Sequence, residues 1–130
     1  MRSIHCLVGP PGATDWHVDL DRFVTALSTL WPTADIALSG PEAPERFPSV
    51  TWSVRNWRDE EEVPPWLDGS LDRARQTSSL RGDIELVTRY VLWFRKLDPQ
   101  QPLALIADND RGTLALLPTT TEEEVTDFLQ

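Results

Sequence analysis

The side chains able to do chemistry in this chain are few and dispersed. His5 and His17 are its histidines and Cys6 is its one cysteine. His5 and Cys6 are neighbours inside the apolar run Ser3 to Val8. On a strand, adjacent side chains point to opposite faces, so this pair cannot share a ligand or a proton without a kink. His17 is followed by Asp19 and Asp21. At helical spacing the i, i+4 pair sets an imidazole beside a carboxylate, the elements of an acid/base couple. A surface ion pair explains the same residues, and the spacing identifies no nucleophile to go with them. A site around His17, Asp19, Asp21 and the loop Gly9 to Gly12 is therefore the enzymatic or small-ligand alternative.

Two further motifs fail on their missing parts. Gly9-Pro10-Pro11-Gly12 stands between a strand and a helix, where a phosphate-binding loop would stand. Gly12 is followed by Ala13-Thr14-Asp15, without the lysine that reaches the phosphates and with an acid that repels them. Asp108-Asn109-Asp110-Arg111-Gly112 resembles the start of a calcium loop, but the twelfth position, where a bidentate glutamate belongs, is Thr119. Asx residues and glycine are what a tight turn selects. No catalytic residue, cofactor or metal ion is expected.

Acidic residues are the remaining chemistry. Asp15, Asp19 and Asp21, and Glu122 to Glu124 with Asp127, are explained in part as first-turn helix charges, which offset the dipole and need no partner. Asp59, Glu60, Glu61 and Glu62 are not explained in this way. They lie between Trp57 and Trp66, which pairs charge with the aromatic anchors that dominate protein interfaces. These six residues are the expected partner-binding set; the alternative is that both tryptophans fold back and pin the loop. Leu92, alone in the polar arc of its helix, and Asp108 and Asp110, on a turn, are secondary contact candidates.

Composition narrows the partner. Across 130 residues, 21 Asp and Glu against 12 Lys and Arg leave a net charge of −9. Phosphate neutralisation supplies most sequence-independent nucleic-acid binding, so that class is excluded and a more basic protein is favoured. One cysteine allows no internal disulfide. The apolar runs are too short to cross a bilayer, and Met1 to Val8 lacks a signal-peptide pattern, so a cytoplasmic protein without a membrane partner is expected.

The elements that must position these residues follow from periodicity. Ser3 to Val8 and Ala34 to Leu38 read as short strands, and Val50 to Arg55 alternates as a half-buried strand should. Trp16 to Trp31 is an amphipathic helix, with Thr14 or Asp15 as its cap. Residues 56–79 lose periodicity and read as one long loop, with a short helix around Leu71 to Arg75. Leu80 to Leu97 carries two adjacent apolar stripes, Leu80, Ile84, Val87, Val91, Phe94 and Leu86, Tyr90, Trp93, Leu97, so this helix is expected in the core. Its polar arc holds Glu85, Thr88, Arg89, Arg95 and Lys96. Leu103 to Ala107 and Thr113 to Leu117 read as a hairpin, and Thr121 to Glu124 is a capping box opening a last helix.

The expected architecture is one domain over 1–130, α+β or α/β, with a mixed five-stranded sheet and three main helices in the order β-α-β-β-loop-α-β-β-α. In size, acidity and compact α/β organisation the chain resembles the immunity proteins with which bacteria neutralise their own toxins. The resemblance implies a non-enzymatic inhibitor, a monomer or homodimer, that occludes a basic surface of a toxin domain. It carries over no individual residue.

Overall fold

In the computed structural model, which describes residues 3–40, 42–55, 64–108 and 112–130, alternation along the chain builds one sheet and three helices. The elements in chain order are β1 (Ser3–Gly9), α1 (Leu20–Leu30), β2 (Asp35–Leu38), β3 (Val50–Arg55), β4 (Trp66–Leu71), β5 (Ser78–Asp83), α2 (Ile84–Leu97), β6 (Leu103–Ala107), β7 (Thr113–Leu116) and α3 (Glu122–Leu129). The sheet has seven strands in the order β2-β3-β4-β5-β1-β6-β7. Every pairing is antiparallel.

The expectation of a mixed five-stranded sheet is thus corrected. The missing strands are β4 and β5, inside the stretch 56–79 read as a loop and at the start of the stretch read as helix. Their inward positions are Leu67, Gly69 and Leu71 on β4, and Ser78, Leu80 and Gly82 on β5. Half of these are not apolar, so period-two alternation is diluted below recognition. The helix expected around Leu71 to Arg75 is instead the turn joining the two strands. Asp72 Oδ1 accepts from the Gln76 and Thr77 amides, and Arg75 takes φ 60°, a left-handed conformation. Leu80 belongs to β5, and α2 begins at Ile84 because Asp83 caps it, its carboxylate accepting from the Glu85 amide. The first helix likewise starts later than Thr14 or Asp15 would place it: Asp19 is the cap, accepting from the Arg22 amide at 2.9 Å. The β6–β7 hairpin and the Thr121–Glu124 capping box are present as expected.

Helices cover one face of the sheet. The buried side chains Cys6, Val8, Val50, Trp52, Val54, Leu67, Leu80 and Leu105 join one core cluster with Phe23 and Leu27 of α1, Leu86 to Phe94 of α2 and Val125 of α3. Its centre is aromatic. Tyr90, fully buried, lies parallel to Trp52 at 5.2 Å and to Phe94 at 5.8 Å, and Phe23 meets Trp52 at 5.4 Å and Trp93 at 5.5 Å. The Trp52 indole occupies the space over Gly69, where any Cβ would collide with the ring. Gly82, at φ 154°, lies so close to the Trp66 carbonyl that no side chain fits.

Two residues of the expected polar arc of α2 are buried. Thr88 approaches Thr126 of α3, and Arg95 reaches three backbone carbonyls: Leu116 at 2.9 Å, Asp98 at 2.6 Å and Gln101 at 2.5 Å. Leu92 is half-buried and packs against the core cluster.

Cys6 points into this core at 2 % exposure, and burial pushes its thiol from the ordinary 9.0 up to about 12. The reactive species is the thiolate, so native protein is expected to resist a chromogenic thiol reagent at pH 8. Reaction should proceed only at the rate of chain opening and become immediate in denaturant. Immediate labelling of the native protein would contradict the burial.

Candidate functional site

Among the described residues no helix lies on the opposite face of the sheet, and its side chains follow from alternation. Thr51, Ser53 and Arg55 on β3, Asp68 and Ser70 on β4, Ser79 and Arg81 on β5, and His5 and Leu7 on β1 point away from the core. The register aligns them in rows. One row runs Asp35, Ser53, Asp68, Arg81, His5 across five strands, and the next brings Arg55 beside Trp66.

These two rows meet in a small organised cluster. Asp68 Oδ1 accepts from Ser53 Oγ at 2.9 Å and from Arg55 Nη1 at 3.2 Å. Arg55 also lies over the Trp66 ring, 5.6 Å from its centroid. Exposed on both sides, the Arg55–Asp68 pair contributes about 1 kcal/mol or less; its effect is to fix the rotamer of Arg55 and so the plane of Trp66. The candidate anchor Trp66 is therefore the first residue of a strand, half-buried and held on the uncovered face, rather than part of a long loop.

Trp57, Asp59, Glu60, Glu61, Glu62 and Asp110 lie outside the described residues. Their flanks are informative. Arg55 and Trp66 are cross-strand partners, so the chain leaves β3 and returns to β4 at one end of the sheet. Asp108 stands at the same end, its amide bonded to the His5 carbonyl at 3.1 Å. Four strand spacings of about 4.8 Å separate the β3–β4 hairpin from the β6–β7 hairpin, or about 19 Å. Between them, Ser3, His5, Arg81, Asp108 and Leu129 line a depression of about 260 Å³. His5 Nε2 is 3.3 Å from Ser79 Oγ.

A second hollow of about 170 Å³ gathers Trp16, His17, Asp19, Arg22 and Asp98 at the start of α1. Sequence spacing had brought His17 and Asp19 together, and they do share this hollow; Asp21 does not line it. Among the described residues the polar contacts of His17 and Asp19 are local. Asp19 is engaged as helix cap, His17 Nδ1 lies 3.3 Å from the Asp15 carbonyl, and Trp16 Nε1 donates to Asp98 at 2.8 Å. In the Gly9 to Gly12 loop Gly9 is buried, whereas Pro11 and Gly12 are exposed. Gly9 lies against Thr77, and the following segment is tied down by Gln76 Nε2, which donates to the Thr14 and Trp16 carbonyls at 2.8 Å each.

A broader groove of about 610 Å³ lies between the uncovered face and the segment 45–48, lined among others by Leu7, Arg46, Phe47, Ser70 and Thr77. Sequence reasoning missed it because Leu7 and Phe47 belong to segments whose faces alternation alone does not relate. Among the described residues no group of three or more His, Cys, Asp and Glu is arranged to hold a metal ion, and no helix is long and apolar enough to cross a membrane. Comparison with protein-family models, with curated proteins and with solved structures finds no match.

Proposed function

We propose that the chain is an acidic protein-binding module that captures a more basic protein and occludes it, as an immunity protein occludes a toxin domain. One placement carries this reading. The strands bordering Asp59 to Glu62 meet that run at Arg55 and Trp66, on the same end of the sheet as Asp108 and three to four strand spacings, roughly 14–19 Å, from it. That span fits within one ordinary protein interface. The net charge of −9 supplies long-range attraction, and an ordered tryptophan beside the acid run supplies contact area that charge alone does not. In this mechanism the carboxylates steer the encounter and pair with Lys or Arg, while Trp66 packs on the partner.

The test is affinity capture from the source cell at low and high salt. It compares the wild type with a variant carrying Asp59→Asn, Glu60→Gln, Glu61→Gln and Glu62→Gln. The wild type should retain a basic protein that salt releases, and the variant should associate with it roughly tenfold or more slowly at low salt, the range that steering supplies. Equal association and equal salt sensitivity in the two proteins would sink the reading.

A further inference from the structure

The sheet has two margins, and they are built differently. Strands at a margin turn alternate N–H and C=O groups outward, and proteins guard them with charge, proline or a covering element. β2 is guarded: Pro32 precedes it, Asp35 opens it, and Pro44, Glu45, Arg46 and Pro48 crowd the segment that follows. β7, whose one neighbour in the sheet is β6, is guarded less: Pro118 follows two residues beyond its end, but among the described residues neither the strand nor its immediate flanks carry a charge. From Gly112 to Thr121 ten successive residues carry no charge, in a chain that is 25 % charged. Thr113 and Ala115 are exposed.

Exposed apolar side chains lead from β1 across β6 to this margin, while Leu38, at 58 % exposure, lies on β2. Leu7 is 40 % exposed, Ile106 49 % and Leu117 57 %, three of the five exposed large apolar side chains among the described residues. Leu7 is the cross-strand partner of Ile106, and Ile106 of Thr113. An apolar strip therefore crosses the uncovered face to β7 and continues past its end at Leu117.

We propose that β7 is the docking edge for the partner, which adds an extended segment as an eighth strand. This rests on the protein-binding reading above and states where and how the partner attaches. Charge selects the occupant. From Gly112 to Gln130 the chain holds four acids and no Lys or Arg. Glu122, Glu123 and Glu124 stand exposed just beyond β7, and Asp108 stands at its other end. The complementary segment is apolar or β-branched in the middle and carries Lys or Arg at both ends. A second copy of this chain would set the same acids against one another.

The test uses the isotope-labelled full chain and a synthetic peptide of six alternating valines and threonines with two lysines at each end. Two controls accompany it, the same peptide with alternate amides methylated and one with glutamates at the ends. The first peptide should protect amides of β7 from hydrogen exchange and shift resonances centred on β6 and β7. Either control, or Ala115→Lys in the protein, should weaken binding at least tenfold. Equal affinity for the methylated peptide, perturbations centred on another element, or a peptide-free dimer formed through β7 would each overturn the proposal. Pairing on β7 with capture unaffected by the acid-run variant keeps the edge and discards the steering mechanism. Capture that depends on the acid run but survives Ala115→Lys does the reverse.

Discussion

Tyr90→Ala is expected to cost about 3–5 kcal/mol of unfolding free energy, the usual range for truncating a buried aromatic ring. Tyr90 has no exposed surface and is the α2 side chain stacked at the centre of the aromatic cluster. Its ring lies within 20° of parallel to those of Trp52, Phe94 and Trp31, at 5.2, 5.8 and 6.5 Å, and meets Trp93 at 5.2 Å. Its hydroxyl is 2.7 Å from Ser78 Oγ on β5. Denaturant unfolding should show the midpoint falling with an unchanged slope, because the loss belongs to packing and not to a change in the surface exposed. A loss below 1 kcal/mol would mean that the aromatic cluster is not the centre of stability.

The conservative variant Tyr90→Phe separates ring from hydroxyl. It keeps the stacking, leaves Ser78 Oγ without its partner and should cost about 1–2 kcal/mol at neutral pH. It should also change the response to alkali. Burial raises the Tyr90 phenol well above its ordinary 10.0. Below that value both folded and unfolded chains hold the proton. Above it the unfolded chain releases the proton and the folded chain does not, so stability falls by about 1.4 kcal/mol per pH unit. Cys6 adds a loss of the same sign that begins near its unfolded value of 9.0 and continues to about 12. Wild-type stability should therefore decline above pH 9 and more steeply above pH 10. Tyr90→Phe should remove the second break and leave the first; a wild-type curve flat from pH 9 to 11 would contradict both burials.

Arg95→Ala should cost about 2–4 kcal/mol, since it removes a charged donor from three carbonyls, of which Asp98 keeps a second partner in the Gln101 amide at 3.2 Å. The guanidinium ties the end of α2 to the Leu116, Asp98 and Gln101 carbonyls. The Leu116 bond fastens the last residue of β7, so hydrogen exchange should accelerate there and over Asp98 to Leu103 before it does elsewhere. Arg95→Lys keeps the charge but not the planar fork, and one ammonium cannot reach three carbonyls in the same geometry. It should recover less than half of the loss. Full recovery would show that charge near the helix terminus, and not the clamp, is what the site requires.

Arg95 also marks where one-dimensional reading stops. In sequence it is a cation in the last turn of a helix, and the dipole accounts for it. Two of its three carbonyls come from the loop that follows its own helix and the third from β7, whose approach is not written in local spacing. Trp66 is a similar case: its neighbours Arg55 and Asp68 are explained only once β3 and β4 are in register. Asp19, Asp21 and His17 differ in kind. Their spacing admitted acid/base chemistry, and packing assigned Asp19 to a helix cap.

The sequence by itself determined the elements whose pattern is self-contained: the alternating β3, the β6–β7 hairpin, the capping box of α3 and the double apolar stripe of α2. In each, the residues' own polarity reports most of the facing, the buried Thr88 and Arg95 of α2 and the exposed Ile106 of β6 being the exceptions. β4 and β5 were decided by tertiary structure alone. Their inward positions include Gly69, Ser78 and Gly82, whose burial is made favourable by others: the Trp52 ring over Gly69, the Tyr90 hydroxyl on Ser78, the Trp66 backbone against Gly82. Periodicity registers a side chain's own apolarity and not that of its partner. Two strands at the heart of the sheet, and with them the uncovered face and the free β7 margin, therefore became visible only in three dimensions.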